Sequence, residues 1–308
     1  QLRRNIVFAF WNGHEIAEAA GSTWYVDTNW EELTDKAVAY INVDSPGMLG
    51  TKRYHVVATP EICEFARRVT SYVLGDNYTW GILRGKHSDM SFYGVGVSAI
   101  SGRTVFDEAD LEVTHGATLG WWYHSEADTL DKIDQEKFHI ALATNAAYIF
   151  YLATEPIVPL EFVTTAQNII TEVRMLEETC SDSWLGLKRL REIAEEFGRT
   201  AVRLKALISQ VQETASENDI YKINRCLLSL ARILLPITHT TGNKYTQDPY
   251  GFSDLQYNLP SLSPVIKKLC KTNPQEVDFK LLRTEAKRRV NMVADALRAA
   301  LMLVDFTL

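Results

Sequence analysis

Apolar and polar positions follow two different rhythms along the chain. Up to about residue 155, short and nearly continuous apolar runs alternate with helical stretches. The runs are 6–11, 37–43, 54–58 and 96–100, and runs of this kind mark strands covered on both faces. Between them, 60–73 carries Pro60 in its first turn behind Thr59, a suitable N-cap. A helix over 134–153 begins at an Asp cap and stops ahead of Pro156. This alternation predicts an α/β fold with a mostly parallel sheet flanked by helices. In such sheets the sites lie at the C-terminal ends of strands. Asn12-Gly13-His14-Glu15 and Asp44-Ser45 both stand where that rule wants them.

From Glu161 onward the period changes. Over 183–214 the residues Leu185, Leu187, Leu190, Ile193, Ala194, Phe197, Ala201, Leu204, Leu207 and Val211 recur every three or four positions. That spacing makes one apolar stripe on a helix. Segments 219–235 and 276–303 repeat the pattern, whereas 236–264, rich in Thr, Asn, Gly, Pro and Tyr, reads as a long ordered loop. The expected organisation is therefore an α/β domain over 1–155 and an all-α helical bundle over 156–308. Glu155-Pro156-Ile157-Val158-Pro159 is the connector.

Composition narrows the function classes. The 308 residues are 46% hydrophobic and 23% charged, which excludes a disordered chain, a collagen-like repeat and a small disulfide scaffold. No apolar stretch approaches the roughly 18 residues of a membrane span. Net charge is −7, and residues 1–155 hold 12 basic against 21 acidic side chains. An acidic half does not neutralise phosphates, so nucleic acid is excluded as a partner, but converging carboxylates suit a cation. Cys63, Cys180, Cys226 and Cys270 are far apart, without paired-ligand spacing. They read as core filling and leave the compartment undecided. The chain opens on Gln1, directly ahead of the first apolar run, and reads as a fragment or trimmed chain.

Individual polar residues carry open readings. His14 and Glu15 are suitable metal ligands or general bases, and equally a helix cap. Asp44 is a ligand or a turn former. His124, in Trp121-Trp122-Tyr123-His124-Ser125-Glu126, is a packing residue or a loop residue at a sheet edge. Their order along the chain says more than any one of them.

Four motifs in that order resemble the zinc-dependent aminopeptidase and glutamate carboxypeptidase family that includes the transferrin receptor. They are Phe8-Ala9-Phe10-Trp11-Asn12-Gly13-His14-Glu15 with Gly21-Ser22, Ala39-Tyr40-Ile41-Asn42-Val43-Asp44, Ser88-Asp89-Met90-Ser91-Phe92 with Gly94 and Gly96, and Tyr123-His124-Ser125 through Asp128-Thr129-Leu130-Asp131. The helical half resembles the dimerisation domain of the carboxypeptidase and transferrin-receptor branch, in helix layout and in an Asn-Lys-Tyr loop within 239–250. The resemblance implies a two-zinc site with five protein ligands and a water activated for attack on a peptide carbonyl. Glu15, Asp44 and His124 match three ligands, and Tyr123 matches a tyrosine that hydrogen-bonds the tetrahedral intermediate. Arg103 is a candidate partner for a substrate carboxylate. A homodimer through the helices and a peptide substrate follow from the same resemblance.

Two departures matter. The family's His-x-Asp motif, which supplies one ligand and the bridging Asp, belongs upstream of the first strand and is not in this chain. His87-Ser88-Asp89 has the same spelling, but its surroundings match the Ser-Asp element. With three of five ligands, zinc is expected to bind weakly or not at all. The second departure is His14, which stands where the general-base Glu belongs. The leading expectation is a zinc exopeptidase, catalytically incomplete in this chain. The alternative is an inactive pseudo-peptidase that serves as a binding or assembly scaffold.

Overall fold

The computed structural model describes residues 2–11, 14, 19–86, 88–113, 115–212, 214–247 and 257–307. They form two compact units. One takes in the described residues up to Ala9 together with Ala39–Leu83 and Ala99–Pro159. The other comprises those within Phe10–Val38, Arg84–Ser98 and Leu160–Leu308. The last passage from one unit to the other falls at Pro159, within the connector.

The first unit is built on a sheet with strand order β1-β4-β2-β3: β1 is Ala39–Val43, β2 Arg53–Ala58, β3 Tyr78–Ile82 and β4 Ser98–Val105. β2 and β3 are parallel, from Tyr54↔Tyr78 to Ala58↔Ile82, and β2 and β4 antiparallel, from Arg53↔Val105 to Ala58↔Ile100. The sheet is therefore mixed, where the alternation of runs predicted a mostly parallel one. Periodicity reports which faces are covered, not which way the next strand runs. On β2, Tyr54, Val56 and Ala58 are buried while Arg53, His55 and Val57 are less so. Tyr54 fits only because position 102 has no side chain: a Cβ on Gly102 would lie 2.1 Å from the Tyr54 hydroxyl.

Two helices complete this unit's core. Phe65, on Cys63–Leu74, meets Tyr148, on Gln135–Thr154, with ring centroids 6.2 Å apart, and Thr70 hydrogen-bonds the same tyrosine's hydroxyl. The longer helix starts as the sequence predicts, with Asp134 accepting from the Lys137 N–H at 3.1 Å. Its C-terminus is closed from afar. The Arg4 guanidinium donates to Leu152 O at 2.9 Å, Glu155 O at 2.5 Å and Pro156 O at 2.9 Å, and Arg3 N–H donates to Ala153 O at 2.7 Å. These bonds satisfy carbonyls that a helix end leaves open.

The first predicted strand is not found. Residues 5–11 pair with no strand among the described residues, and Val7, Phe8 and Phe10 are exposed, Phe10 at 94%. An apolar run specifies a strand only where a neighbour offers a ladder for its backbone groups. Here the chain's anchoring bonds go to the helix end at 152–156 instead.

In chain order the helices are α1 (Ala20–Thr28), α2 (Trp30–Lys36), α3 (Cys63–Leu74), α4 (Glu108–Val113), α5 (Gln135–Thr154), α6 (Val163–Thr179), α7 (Leu187–Val211), α8 (Glu217–His239), α9 (Ser263–Leu269) and α10 (Val277–Thr307). The second unit holds α1, α2 and α6–α10. α6 packs on α7, and α10 on α7, α8 and α9. Along α7 the buried residues Leu187, Leu190, Ile193, Ala194, Phe197, Ala201 and Leu204 belong to the predicted stripe, whose last members Leu207 and Val211 are half-buried. α8 begins with a capping box between Ser216 and Asp219. It continues past the predicted end at 235, because Pro236 removes only one helical N–H. Thr238 and Thr240 hydroxyls donate to Leu234 O at 3.0 Å and Pro236 O at 2.8 Å and occupy carbonyls of that last turn.

A testable consequence concerns His55 on β2. Burial, and then the charge of Arg103, hold its pKa below the ordinary 6.5. The unfolded chain therefore takes up a proton near pH 6.5 that the folded chain refuses until lower pH. Stability contributed by neutral His55 is present above that value and is lost as pH falls toward the folded pKa. Denaturant midpoints measured from pH 7.5 to 5.5 fall more steeply for the wild type than for His55→Gln. Equal slopes would refute the assignment.

Candidate functional site

Motif residues are distributed between the two units. In the second unit the first and third motifs meet. His14 Nδ1 and Asp89 Oδ2 are 3.2 Å apart, with side chains only 15% and 10% exposed. Nearby contacts fix the same two segments together. Ser91 Oγ lies 2.8 Å from Ser22 Oγ and 3.0 Å from Thr23 Oγ1. Trp11 packs against Tyr25 and Phe92, with centroids 5.5 and 6.4 Å away. A carboxylate on Nδ1 orients the imidazole and favours the tautomer whose Nε2 accepts a proton. Glu15 lies outside the described residues, as does His87.

In the first unit the second and fourth motifs are neighbours through the chain that follows each. Asp44 directly follows β1, half-buried, and its Oδ1 accepts from Ser45 Oγ at 3.2 Å. Ser45 has φ +50°, in the left-handed region, so the chain turns sharply there. The strand's continuation then pairs with the residues after the Tyr-His turn. Leu49 N–H donates to Lys132 O at 2.8 Å, and Asp134 N–H to Gly47 O at 2.9 Å. In the turn, His124 is exposed and has φ +59°, and its ring stacks on Tyr123 at 3.7 Å. Ser125 Oγ donates to Trp122 O at 2.5 Å, and Asp131 is held below the usual carboxylate range by hydrogen bonds from Lys132 and Thr129.

Arg103 stands in mid-strand on β4, half-buried and opposite His55 in register. Asp44 and His124 are two of the three expected metal ligands, and a catalytic zinc uses about three protein ligands. Among the described residues, no group of three or more His, Cys, Asp or Glu side chains is placed to hold a metal ion. The described residues by themselves therefore do not complete a zinc site.

One feature of the second unit has no counterpart in the sequence reading. A small pocket of about 10 Å³, room for about one water, is lined by Lys86, Met90, Ser91, Tyr93, Gly94, Thr240, Lys244, Thr246 and Gln247. Lys86 is buried, and its Nζ donates to Gln247 Oε1 at 3.4 Å. Gly94 lets the chain approach: a Cβ there would sit 2.1 Å from Lys244 O. The pocket is enclosed by hydroxyls, an amide and the Lys86 ammonium. Its residues come from 86–94 and 240–247, too far apart in the chain for any local pattern to join them.

Residues 1–149 match the family model of peptidase family M28. The likeness carried by the four motifs is thus borne out over the M28-type segment. Two curated relatives extend the similarity beyond it. The chain is 25% identical to the probable glutamate carboxypeptidase VP8 of Zea mays over 273 residues, covering 84% of this chain and 37% of that protein. It is 28% identical to the probable glutamate carboxypeptidase LAMP1 of Arabidopsis thaliana over 203 residues, covering 57% of this chain and 27% of that protein. The chain thus spans between a quarter and two fifths of the length of these relatives. Among the described residues no helix is long and apolar enough to cross a membrane.

Proposed function

We propose that this chain is part of an M28-type exopeptidase that hydrolyses a terminal peptide bond or a small amide. The observation that carries the proposal is the match of residues 1–149 to the peptidase family, with the four motifs in order inside it. The names of the two relatives support a carboxypeptidase in particular. On this reading Glu15, Asp44 and His124 are zinc ligands, and zinc, when bound, polarises the scissile carbonyl and activates water. His14, oriented by Asp89, accepts a proton in the place of the usual Glu. Tyr123 donates a hydrogen bond to the developing oxyanion. Arg103 is the cationic position this reading offers to a substrate carboxylate. The reading also carries a homodimer through the helices, for which the exposed Tyr221, Met302 and Phe306 on α8 and α10 offer apolar surface.

The scaffold reading draws on His14 at the base position and on the incomplete donor set. Zinc analysis separates the two. The enzyme reading expects bound zinc in the purified protein of which this chain is part, and release of a terminal residue from aminoacyl anilides or dipeptides that stops on chelation. Metal-free protein without turnover on either substrate class would leave the scaffold.

A further inference from the structure

Residues directly opposite each other in a β-ladder share a face, with Cβ atoms about 4.5–5.5 Å apart. In the first unit, His55 of β2 stands opposite Thr79 of β3 on one side and Arg103 of β4 on the other. The three make one row across adjacent strands, and all are half-buried. Gly81, Val57 and Ser101 make the next row on the same face. The alternate residues Tyr54, Val56 and Thr104 take the other face, which is buried.

This row carries an uncompensated cation. Among the described residues no carboxylate pairs with Arg103. Arg53, two positions before His55 on the same face, already holds Asp107 at 2.7 Å. β3 brings no charge to the face, and β1, beside β4, carries no acidic or basic side chain. Its Tyr40 hydroxyl donates to Asn42 Oδ1 at 3.0 Å. His55 Nδ1 lies 2.8 Å from Thr79 Oγ1. That hydroxyl can donate to the neutral ring and accept from the protonated one, so it serves either state. Gly81 leaves room beside the imidazole, since a Cβ there would lie 3.9 Å from His55 Cε1, the carbon between the two ring nitrogens. Burial, and then the charge of Arg103, hold the His55 pKa down. An anion seated against both groups opposes the second effect.

We propose that Thr79, His55 and Arg103 form a site for one oxyanion, a carboxylate or a phosphate-type group, that binds together with a proton on His55. The guanidinium takes two of the oxygens in its planar fork, and the imidazolium Nε2–H donates to the anion as well. Thr79 accepts from Nδ1–H and keeps the ring in place. Anion and proton then favour each other's binding. The site deepens the proposed function, resting on its reading of Arg103, and is tested by binding rather than by turnover. Anion binding by an inactive protein would keep the site and remove the peptidase; turnover without anion binding would do the reverse.

The whole protein is titrated with sodium acetate and with sodium sulfate at constant ionic strength, and the His55 ring signal is followed by NMR. Both probes are anionic from pH 6.0 to 7.5, so a change of affinity over that range belongs to the protein. Saturable binding at least about 3-fold tighter at pH 6.0 than at pH 7.5 is expected. Binding of acetate alone marks a carboxylate subsite and binding of sulfate alone a phosphate-type one, and each supports the site. Arg103→Gln weakens binding by at least about 10-fold, and Arg103→Lys, which keeps the charge without the fork, falls between. Arg53→Gln removes an equal charge from the same face and weakens binding less. His55→Gln, read from the Thr79 and Arg103 amide signals, loses the pH dependence. No saturable shift with either probe would overturn the site. Equal losses in Arg53→Gln and Arg103→Gln, or a wild-type affinity indifferent to pH, would overturn it too.

Discussion

Replacing Arg232 by Ala lowers the free energy of unfolding by about 3 kcal/mol. This guanidinium on α8 holds two segments of the second unit that are remote from it in sequence. It donates to Leu33 O and Thr34 O at 3.0 Å each and also to Ala37 O, closing the C-terminus of α2. It donates to Gly96 O at 2.5 Å, at the end of the turn that follows Phe92. Hydrogen bonds from a charged donor contribute roughly 1.5–3 kcal/mol each. The four share one side chain, and burial opposes the charge, holding the Arg232 pKa down to about 10, so they do not add in full. Arg232→Lys recovers only part of the loss, because an ammonium cannot reproduce the planar fork. Denaturant unfolding of the three proteins checks this. An Ala variant within about 0.5 kcal/mol of wild type would show that the carbonyls find other partners.

Gly96→Ala is expected to cost a similar amount, about 3 kcal/mol, for two separable reasons. Gly96 has φ +76°, where a Cβ is strained by roughly 1–2 kcal/mol. A Cβ would also lie 2.5 Å from Arg232 Cα and 2.8 Å from Ala231 O. Both are backbone atoms of a long helix and cannot step aside locally. The strain falls on the Ser88–Phe92 element, whose turn is closed by Gly96 N–H to Tyr93 O at 3.0 Å and Val97 N–H to Phe92 O at 3.1 Å. Because Arg232 bonds the Gly96 carbonyl, the two substitutions meet in one contact, and the double variant loses less than their sum. Strict additivity in a double-mutant cycle would contradict this coupling.

What the sequence discloses depends on whether a signal is local. Asp134 and Pro156 frame α5, and the stripe from Leu187 to Leu204 defines the buried face of α7, because caps and periodicity act within a few turns. β1 and β2 were legible for the same reason. The run at 6–11 misled, since an apolar run says nothing about whether a ladder partner exists. β3 was missed because Tyr78-Thr79-Trp80-Gly81-Ile82 is short and broken by a glycine. The site divides in the same way. Motif order disclosed His14, Asp44, Tyr123 and His124 as candidates. The His14–Asp89 pair and the Lys86 pocket join residues 75 or more positions apart and needed the fold.

The residue on which the peptidase reading turns is Glu15, the carboxylate next to His14 in the first motif. Its most direct test compares the wild-type protein with Glu15→Gln, side by side, for release of a terminal residue from a peptide and for thermal unfolding. For the protein of which this chain is part, the account predicts turnover in the wild type, a loss of at least about 100-fold in the variant and an unchanged thermal midpoint. Equal turnover in the two proteins, or none in either, would contradict it.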